Sequence, residues 1–250
     1  MLRIFASEEA ACVEAAREMV ELVAAKPAAV LGLPAGNTPR LVYAALARAH
    51  HDGALSFARA QAFNLDEYLG LPPDHPATFR RFMHDSFYRH VDLLPTNAHF
   101  PDAGATDRAA ACARYEADIA AAGGLDFVLL GIGGNGHIAF NEPGAPFDSR
   151  THVVTLADDT RAALVVSLDG EQVPSEAITM GVGTILSARR CVLLAFGAGK
   201  SDAIARALEG PVTPLVPASA LRAHASCSFY LDDAAASRLT GSSRRGLSER

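Results

Sequence analysis

The sequence predicts an α/β protein in which helices cover both faces of a mostly parallel sheet. Short apolar runs alternate with longer amphipathic ones along the 250 residues, and strands separated by helices usually pair in parallel. Half of the residues are hydrophobic, which is enough for a sizeable core. Neither an internal repeat nor a linker divides the chain. We therefore predict a single three-layer, Rossmann-like domain over residues 1–240 and a polar tail over 241–250 that is expected to be disordered.

The predicted strands are short apolar segments. Burial on both faces of a parallel sheet favours continuous apolar runs, and the clearest is 125–132, LDFVLLGI. The other predicted strands are 28–33, 61–65, 152–156, 191–196 and 228–231.

The predicted helices combine amphipathic periodicity with start signals. Ser7 is a good N-cap for a helix over 7–26, because its hydroxyl can accept from a free amide and two glutamates follow in the first turn. Pro39 opens a helix over 38–49. Further helices are predicted over 78–90, 107–122, 200–208 and, despite its two glycines, 177–187.

Composition excludes several classes of protein. The net charge is −6 and the basic residues are scattered, so no nucleic-acid-binding surface is indicated. No apolar run approaches the roughly 20 residues that span a bilayer, and the N-terminus lacks the pattern of a signal peptide. The four cysteines form no CxxC pair and the nine histidines show no metal-ligand spacing. We expect free buried thiols, a cytoplasmic location and no metal. The sequence leaves open whether the chain forms a homo-oligomer.

The segment 131–143, GIGGNGHIAFNEP, is the most informative stretch of the chain. It follows the strongest predicted strand, and its four glycines in six positions let the backbone turn sharply and approach a ligand. His137 and Glu142 then lie at the carboxyl end of a strand, where open α/β sheets bind their ligands. His137 can move a proton near neutral pH, and a nearby carboxylate can raise its pKa.

From the residues alone, a tight turn with a structural histidine remains the alternative for this segment. Its GxGxxG pattern indicates a dinucleotide site only weakly, because no helical pattern follows it. Lys200 is one of only two lysines and stands between a predicted strand and helix. A point cation beside free helix-start amides suits a phosphate, while a bias of the composition toward arginine is the alternative explanation.

Four strings together resemble the glucosamine-6-phosphate deaminase family, in the family's order, from about residue 2 to residue 233. The segment 131–144 is similar to the family signature, and 63–72, FNLDEYLGLP, is similar to a second one. The segments 31–39, LGLPAGNTP, and 177–186, AITMGVGTIL, resemble the family's phosphate loop and a fourth motif. The first two strings are long and specific, whereas the phosphate loop alone would be weak.

The resemblance implies a reaction and the residues that perform it. Glucosamine 6-phosphate and water would give fructose 6-phosphate and ammonia by ring opening, aldose–ketose isomerisation and deamination, with no metal and no organic cofactor. Asp66 matches the base for the C2 proton, and His137 the acid/base that opens the ring. Asn135 and Glu142 match its supporting positions, so we expect Asn135 to orient the imidazole and Glu142 alone to tune the pKa of His137.

The resemblance also implies how the phosphate is held. Gly36, Asn37 and Thr38 match the phosphate loop, where backbone amides and a hydroxyl would bind the anion. Lys200 matches the phosphate lysine.

The chain departs from the family pattern at two places. Where well-studied members carry an arginine and paired phenylalanines in a mobile lid, residues 162–167 read AALVVS, and the segment up to 174 is about two residues shorter. Where regulated members carry basic residues, 152–154 reads HVV. We therefore expect altered phosphate grip, lid closure or substrate choice, and no activation by an acetylated amino-sugar phosphate.

Three other functions are alternatives to this one. The altered lid favours the galactosamine epimer as a substrate more than is usual in the family. Sugar-lactone phosphate hydrolases share the fold and a Gly-rich strand end that leads to a His, but they lack the FNE and NLDEY strings seen here. A non-catalytic sugar-phosphate sensor is disfavoured, because Asp66, His137 and Glu142 are all present.

Overall fold

The computed structural model describes residues 1–158, 160–161 and 174–241. A seven-stranded, fully parallel sheet runs through the molecule in the order β1-β10-β9-β6-β2-β3-β5. Its strands are β1 (Leu2–Phe5), β2 (Val30–Leu33), β3 (Gln61–Asn64), β5 (Ala98–His99), β6 (Phe127–Leu130), β9 (Arg190–Ala195) and β10 (Cys227–Asp232). The predicted α/β class with a mostly parallel sheet is confirmed.

Helices lie on both faces of this sheet. They are α1 (Glu8–Ala25), α2 (Arg40–His51), α3 (Phe79–Ser86), α4 (Arg108–Ala121), α5 (Val182–Leu186) and α6 (Ser201–Glu209). The side chains of β6 alternate between two cores: Val128 and Leu130 pack with α4 and α6, whereas Phe127 and Leu129 pack with α1 and α2. This alternation, which follows from the twofold period of a strand, makes the predicted three layers.

Most predicted elements are found within a few residues of their expected ends. Ser7 caps α1 as predicted, because its hydroxyl accepts from the Ala10 amide. The predicted helix over 78–90 ends at Ser86 and continues as a short 3₁₀ turn, Tyr88–His90. The sequence did not reveal β1, which pairs with β10, or the two-residue strand β5.

The prediction of a helix over 177–187 is wrong in its first half. Residues Glu176–Thr179 form strand β8, and only Val182–Leu186 are helical. β8 pairs antiparallel with β4 (Asp66–Tyr68) and with β7 (His152–Thr155) to make a second, three-stranded sheet. Tertiary pairing on both edges overrides the helix propensity of the segment.

Two features predicted from composition can be compared with the described residues. All four cysteines are free and buried, as predicted. Among the helices that the structure describes, none has the length and hydropathy needed to cross a membrane. Residues 242–250 of the predicted tail lie outside the described residues.

Candidate active site

The candidate site is a cleft of about 230 Å³ at the carboxyl edge of the seven-stranded sheet. Because β6, β2 and β3 are adjacent and parallel, the loops that follow them meet there. The cleft is lined by the phosphate-loop segment 34–39, by 65–66 after β3, by 131–133 after β6, and by Tyr68, Phe79, His137, Ala139 and Phe140. Its volume is below the roughly 300–1,000 Å³ typical of drug-sized ligands, which suits a monosaccharide phosphate.

A larger hollow of about 550 Å³ lies elsewhere, beside α3. None of the residues predicted to be catalytic lines it, so its size does not make it the better candidate.

The loop after β2 has the geometry of an anion site. Gly36 lies at φ +112°, a conformation that favours glycine. Among the hydrogen bonds of the described residues, none uses the amides of Gly36, Asn37 or Thr38 as donors. These free amides border the cleft at the start of α2, where the helix dipole adds positive potential.

Asp66 is carried into the cleft by strand β4. Its pairing with Thr179 of β8 orients the strand, and the carboxyl is only 6% exposed. Within the described residues it makes no hydrogen bond. Burial, reinforced by the neighbouring charge of Glu67, raises the pKa of Asp66 to about 8. A carboxyl of this kind is a far stronger base than an ordinary aspartate.

His137 is held between Gly133 and Glu142. A Cβ atom built on Gly133 would lie 2.2 Å from Cε1 of the imidazole, so the ring packs directly against the glycine backbone. Nδ1 of His137 lies 3.3 Å from Oε2 of Glu142 without forming a hydrogen bond to it. This leaves Nε2 as the ring nitrogen available to the cleft.

The structure corrects the expected role of Asn135. Its side chain does not bond to the imidazole: Nδ2 donates to Oε2 of Glu142 at 2.8 Å, and Oδ1 accepts from the backbone amide of His137 at 3.1 Å. Asn135 therefore orients Glu142 and the loop rather than the ring. The amide can do this because it offers a donor and an acceptor at once.

Thr160 is a contributor that the sequence did not reveal. Its hydroxyl donates to Oε1 of Glu142 at 2.6 Å, so donors satisfy both carboxylate oxygens. Burial alone would raise the pKa of Glu142, but the neighbouring His137 and the donors from Thr160 and Asn135 outweigh it and bring that pKa to about 2. Glu142 is thus a permanent anion beside His137, and Thr160 and Asn135 hold its two carboxylate oxygens in place.

The loop that follows β6, residues 131–143, is anchored to the second sheet. The Asn141 side chain donates to the carbonyls of Ile138 and Met180, and the Phe140 amide donates to the Thr179 hydroxyl. Ala139, between them, lies in the left-handed region at φ +49°, a conformation that costs an L-residue about 1 kcal/mol. These bonds fix a strained turn that carries His137 and Glu142.

Lys200 lies at the same edge of the sheet but does not line the cleft. It ends the 3₁₀ turn that follows β9, next to the loop after β6. The lysine is half-buried, and burial lowers its pKa. No carboxylate of the described residues pairs with it. An ammonium group without a counter-ion suits a ligand anion, but the structure does not bring it together with the 36–38 loop in one pocket.

Of the two segments that depart from the family pattern, the structure describes only one. The segment 162–173, where the sequence departs from the family's lid pattern, lies outside the described residues. The 152–154 segment belongs to β7, at the edge of the second sheet. The expected absence of activation by an acetylated amino-sugar phosphate stays a prediction.

No metal centre emerges within residues 1–158, 160–161 and 174–241, where no group of three or more His, Cys, Asp or Glu side chains could hold an ion.

Comparison with known proteins bears on the whole chain. The family of glucosamine-6-phosphate isomerases and 6-phosphogluconolactonases matches residues 6–229. The glucosamine-6-phosphate deaminase of Rhodopirellula baltica is 47% identical over 239 residues, which is 95% of each chain. That of Pseudarthrobacter chlorophenolicus is 48% identical over 228 residues, covering 90% of this chain and 87% of the relative.

Solved structures agree with this. A monomeric glucosamine-6-phosphate deaminase superimposes with a TM-score of 0.92 at 43% identity, over 94% of this chain and 98% of that one. The 6-phosphogluconolactonase of Trypanosoma cruzi, with a TM-score of 0.76 at 22% identity over 96% of each chain, shares the fold. The resemblance inferred from the four motifs is therefore confirmed, and the chain belongs to the family of glucosamine-6-phosphate isomerases and 6-phosphogluconolactonases.

Proposed function

We propose that this protein is a glucosamine-6-phosphate deaminase, which converts glucosamine 6-phosphate and water to fructose 6-phosphate and ammonia. The observation that carries the proposal is the convergence of Asp66, His137 and the 36–38 loop on one cleft. Relatives that are 43–48% identical over most of the chain carry the same activity in their names.

His137 opens the sugar ring in this proposal. The C1–O5 bond breaks while a proton leaves the O1 hydroxyl and another reaches O5, and Nε2 can relay both. Glu142, held ionised by its donors, stabilises the imidazolium that forms transiently. The packing of the ring on Gly133 keeps Nε2 aimed at the cleft.

Asp66 removes the C2 proton of the open chain. The C–H electron pair passes into the C1 carbonyl and gives an enolamine. A proton is then returned to C1 while the nitrogen lone pair forms a C2=N double bond, and water adds to C2 and ammonia leaves. A proton on carbon is a weak acid, so a base with a pKa of about 8 is better matched to it than an ordinary aspartate. Because kcat/KM reports the free enzyme, we expect it to rise with pH through about 8.

The phosphate is assigned to the 36–38 loop and to Lys200. The loop supplies three free amides at a helix start, and the lysine supplies an ammonium group without a counter-ion in the described part of the chain. Since Lys200 does not line the cleft, a phosphate bound by the lysine and by the 36–38 loop would bridge the two. We extend the proposal to a single catalytic domain over residues 1–240 and, because its thiols are free, to a cytoplasmic enzyme.

An ammonia-release assay tests the proposal. Glucosamine 6-phosphate, galactosamine 6-phosphate and 6-phosphogluconolactone are offered to the wild type and to Asp66→Asn. We expect ammonia and fructose 6-phosphate from the glucosamine substrate, a loss of about 10²–10⁴-fold in the variant, and no lactone hydrolysis above background. Faster turnover of the galactosamine epimer would change the substrate assignment. Lactone hydrolysis without ammonia release would overturn the reaction class. Gel filtration of the same sample decides whether the chain, like its solved relative, is monomeric.

A further inference from the structure

Glu67 is a buried charge that the proposed chemistry does not use. We propose that Glu67 is a positioning residue for Asp66: it pins the junction between β4 and α3 and places a negative charge on the face of β4 opposite the Asp66 carboxyl. The proposal rests on the proposed function, since it takes Asp66 to be the base for the C2 proton.

The strand places the two carboxyls on opposite faces. Successive side chains of β4 alternate, so Asp66 and Tyr68 line the cleft while Glu67 points away from it. Glu67 is only 5% exposed. Its charge therefore acts on Asp66 through the protein interior, where screening by solvent and salt is weak.

Glu67 anchors the start of α3. Its Oε1 accepts from the amides of Tyr68 at 2.9 Å and Phe79 at 2.8 Å, and its Oε2 accepts from the amide of Arg80 at 2.8 Å. The next amide of the helix, that of Arg81, is taken by the Thr78 hydroxyl. Every free amide of the first turn thus has an acceptor, and Glu67 ties β4 to the helix through three backbone bonds.

These contacts also favour the charged form of Glu67 over the protonated form. Each of the three partners is an N–H donor, so none offers an acceptor for a carboxyl proton. Burial raises the pKa of Glu67, and the three amides oppose that rise. Among the described residues, no lysine, arginine or histidine lies within ion-pair distance, and Arg80 acts on it only from farther away. The negative charge is consequently not cancelled by a salt bridge.

The other groups around Asp66 are neutral or lie across the cleft. Burial raises the pKa of the nearby phenols, so they stay uncharged; they are Tyr43 on α2, Tyr68 on β4 and Tyr115 on α4. His137 faces Asp66 from the loop after β6. Glu67 is the neighbouring charge that acts together with burial to raise the pKa of Asp66.

The consequence is a stronger base. A like charge nearby disfavours the ionised form of Asp66, so the carboxyl group releases its proton less readily and its carboxylate form is a stronger base. In a medium of effective dielectric about 20, like charges on neighbouring residues repel enough to move a titration by on the order of one pH unit.

The experiment measures kcat/KM for glucosamine 6-phosphate from pH 5.5 to 10 in wild type, Glu67→Gln, Glu67→Asp and Thr78→Ala. Thr78→Ala is the matched control, because it removes a cap of the same helix start without removing a charge. We expect the midpoint of the rise to fall by about one pH unit in Glu67→Gln and to stay within about 0.3 units in Thr78→Ala and Glu67→Asp. Titration of the substrate itself cancels between variants.

Two results would overturn the inference. One is a Glu67→Gln midpoint equal to that of the wild type; the other is an equal shift in Thr78→Ala, which would make Glu67 merely structural. If Glu67→Gln does not fold, Glu67→Asp and Glu67→Asn decide as a pair of equal size that differs in charge: a midpoint about one pH unit lower in Glu67→Asn supports the proposal, and equal midpoints refute it. A wild type without deaminase activity would instead refute the proposed function.

Discussion

Adding a single methyl group at Gly133 should lower activity without unfolding the protein. In Gly133→Ala the new Cβ would lie 2.2–2.5 Å from three ring atoms of His137, closer than carbon atoms approach. The backbone at Gly133 is outside the left-handed region, so alanine is not strained there by its own conformation. The imidazole must move by about 1 Å or more, and a displacement of that size can cost about 10²-fold in rate.

The measurement compares kcat and Tm of Gly133→Ala with those of Gly134→Ala. The control residue is adjacent, exposed and has no atom within 4 Å of its built Cβ. We expect Gly133→Ala to lose about 10²-fold in kcat while retaining its fold, and Gly134→Ala to match the wild type. If Gly133→Ala keeps more than half of the wild-type kcat, the position of His137 is not the constraint that we describe.

Three further predictions concern the groups around the cleft. Lys200→Ala should lower kcat/KM by about tenfold to a hundredfold, the worth of a charge-assisted contact, but should have almost no effect on unphosphorylated glucosamine; an equal loss on both would make the lysine structural. Thr160→Val should slow turnover by about tenfold or more, because its hydrogen bond to Glu142 is lost, whereas Thr160→Ser should turn over at the wild-type rate. If the two variants turn over equally fast, that hydrogen bond does not contribute to catalysis. Asp66 has a folded pKa of about 8 against about 3.9 unfolded, so its contribution to stability falls as pH rises from about 4 to about 8. Asp66→Asn should accordingly stabilise the protein above pH 8, by at most about 6 kcal/mol, and chemical denaturation that finds no gain over the wild type at pH 9 would contradict the raised pKa.

The sequence predicts those parts of the site that are contiguous in the chain. His137 and Glu142 share one loop, and the glycines around them have a local steric reason, so the motif indicates their proximity directly. The order of strands and helices follows likewise from periodicity and start signals. The seven-stranded sheet was largely predictable for this reason.

The remainder depends on contacts between distant segments. Thr160 reaches Glu142 from 18 residues away, and nothing in its neighbourhood marks it. Strand alternation predicts that Glu67 points away from Asp66, but nothing in the sequence indicates that it accepts hydrogen bonds from the amides of Phe79 and Arg80. The sequence does not distinguish the hydrogen-bond partner of Asn135, because a side-chain amide can bond to an imidazole or to a carboxylate, and the prediction of the imidazole is wrong. β4 was missed since three polar residues carry no strand pattern until β8 pairs with them.

The most direct test of the account is solvent hydrogen exchange at C2. Fructose 6-phosphate and ammonia are incubated with enzyme in deuterated water, and deuterium at C2 of the glucosamine 6-phosphate formed is followed by NMR. The account predicts deuterium at C2 with the wild type, a loss of about 10²–10⁴-fold with Asp66→Asn, and a smaller loss with His137→Gln, since the open chain bypasses ring opening. Exchange by Asp66→Asn at the wild-type rate would contradict the assignment of Asp66 as the base.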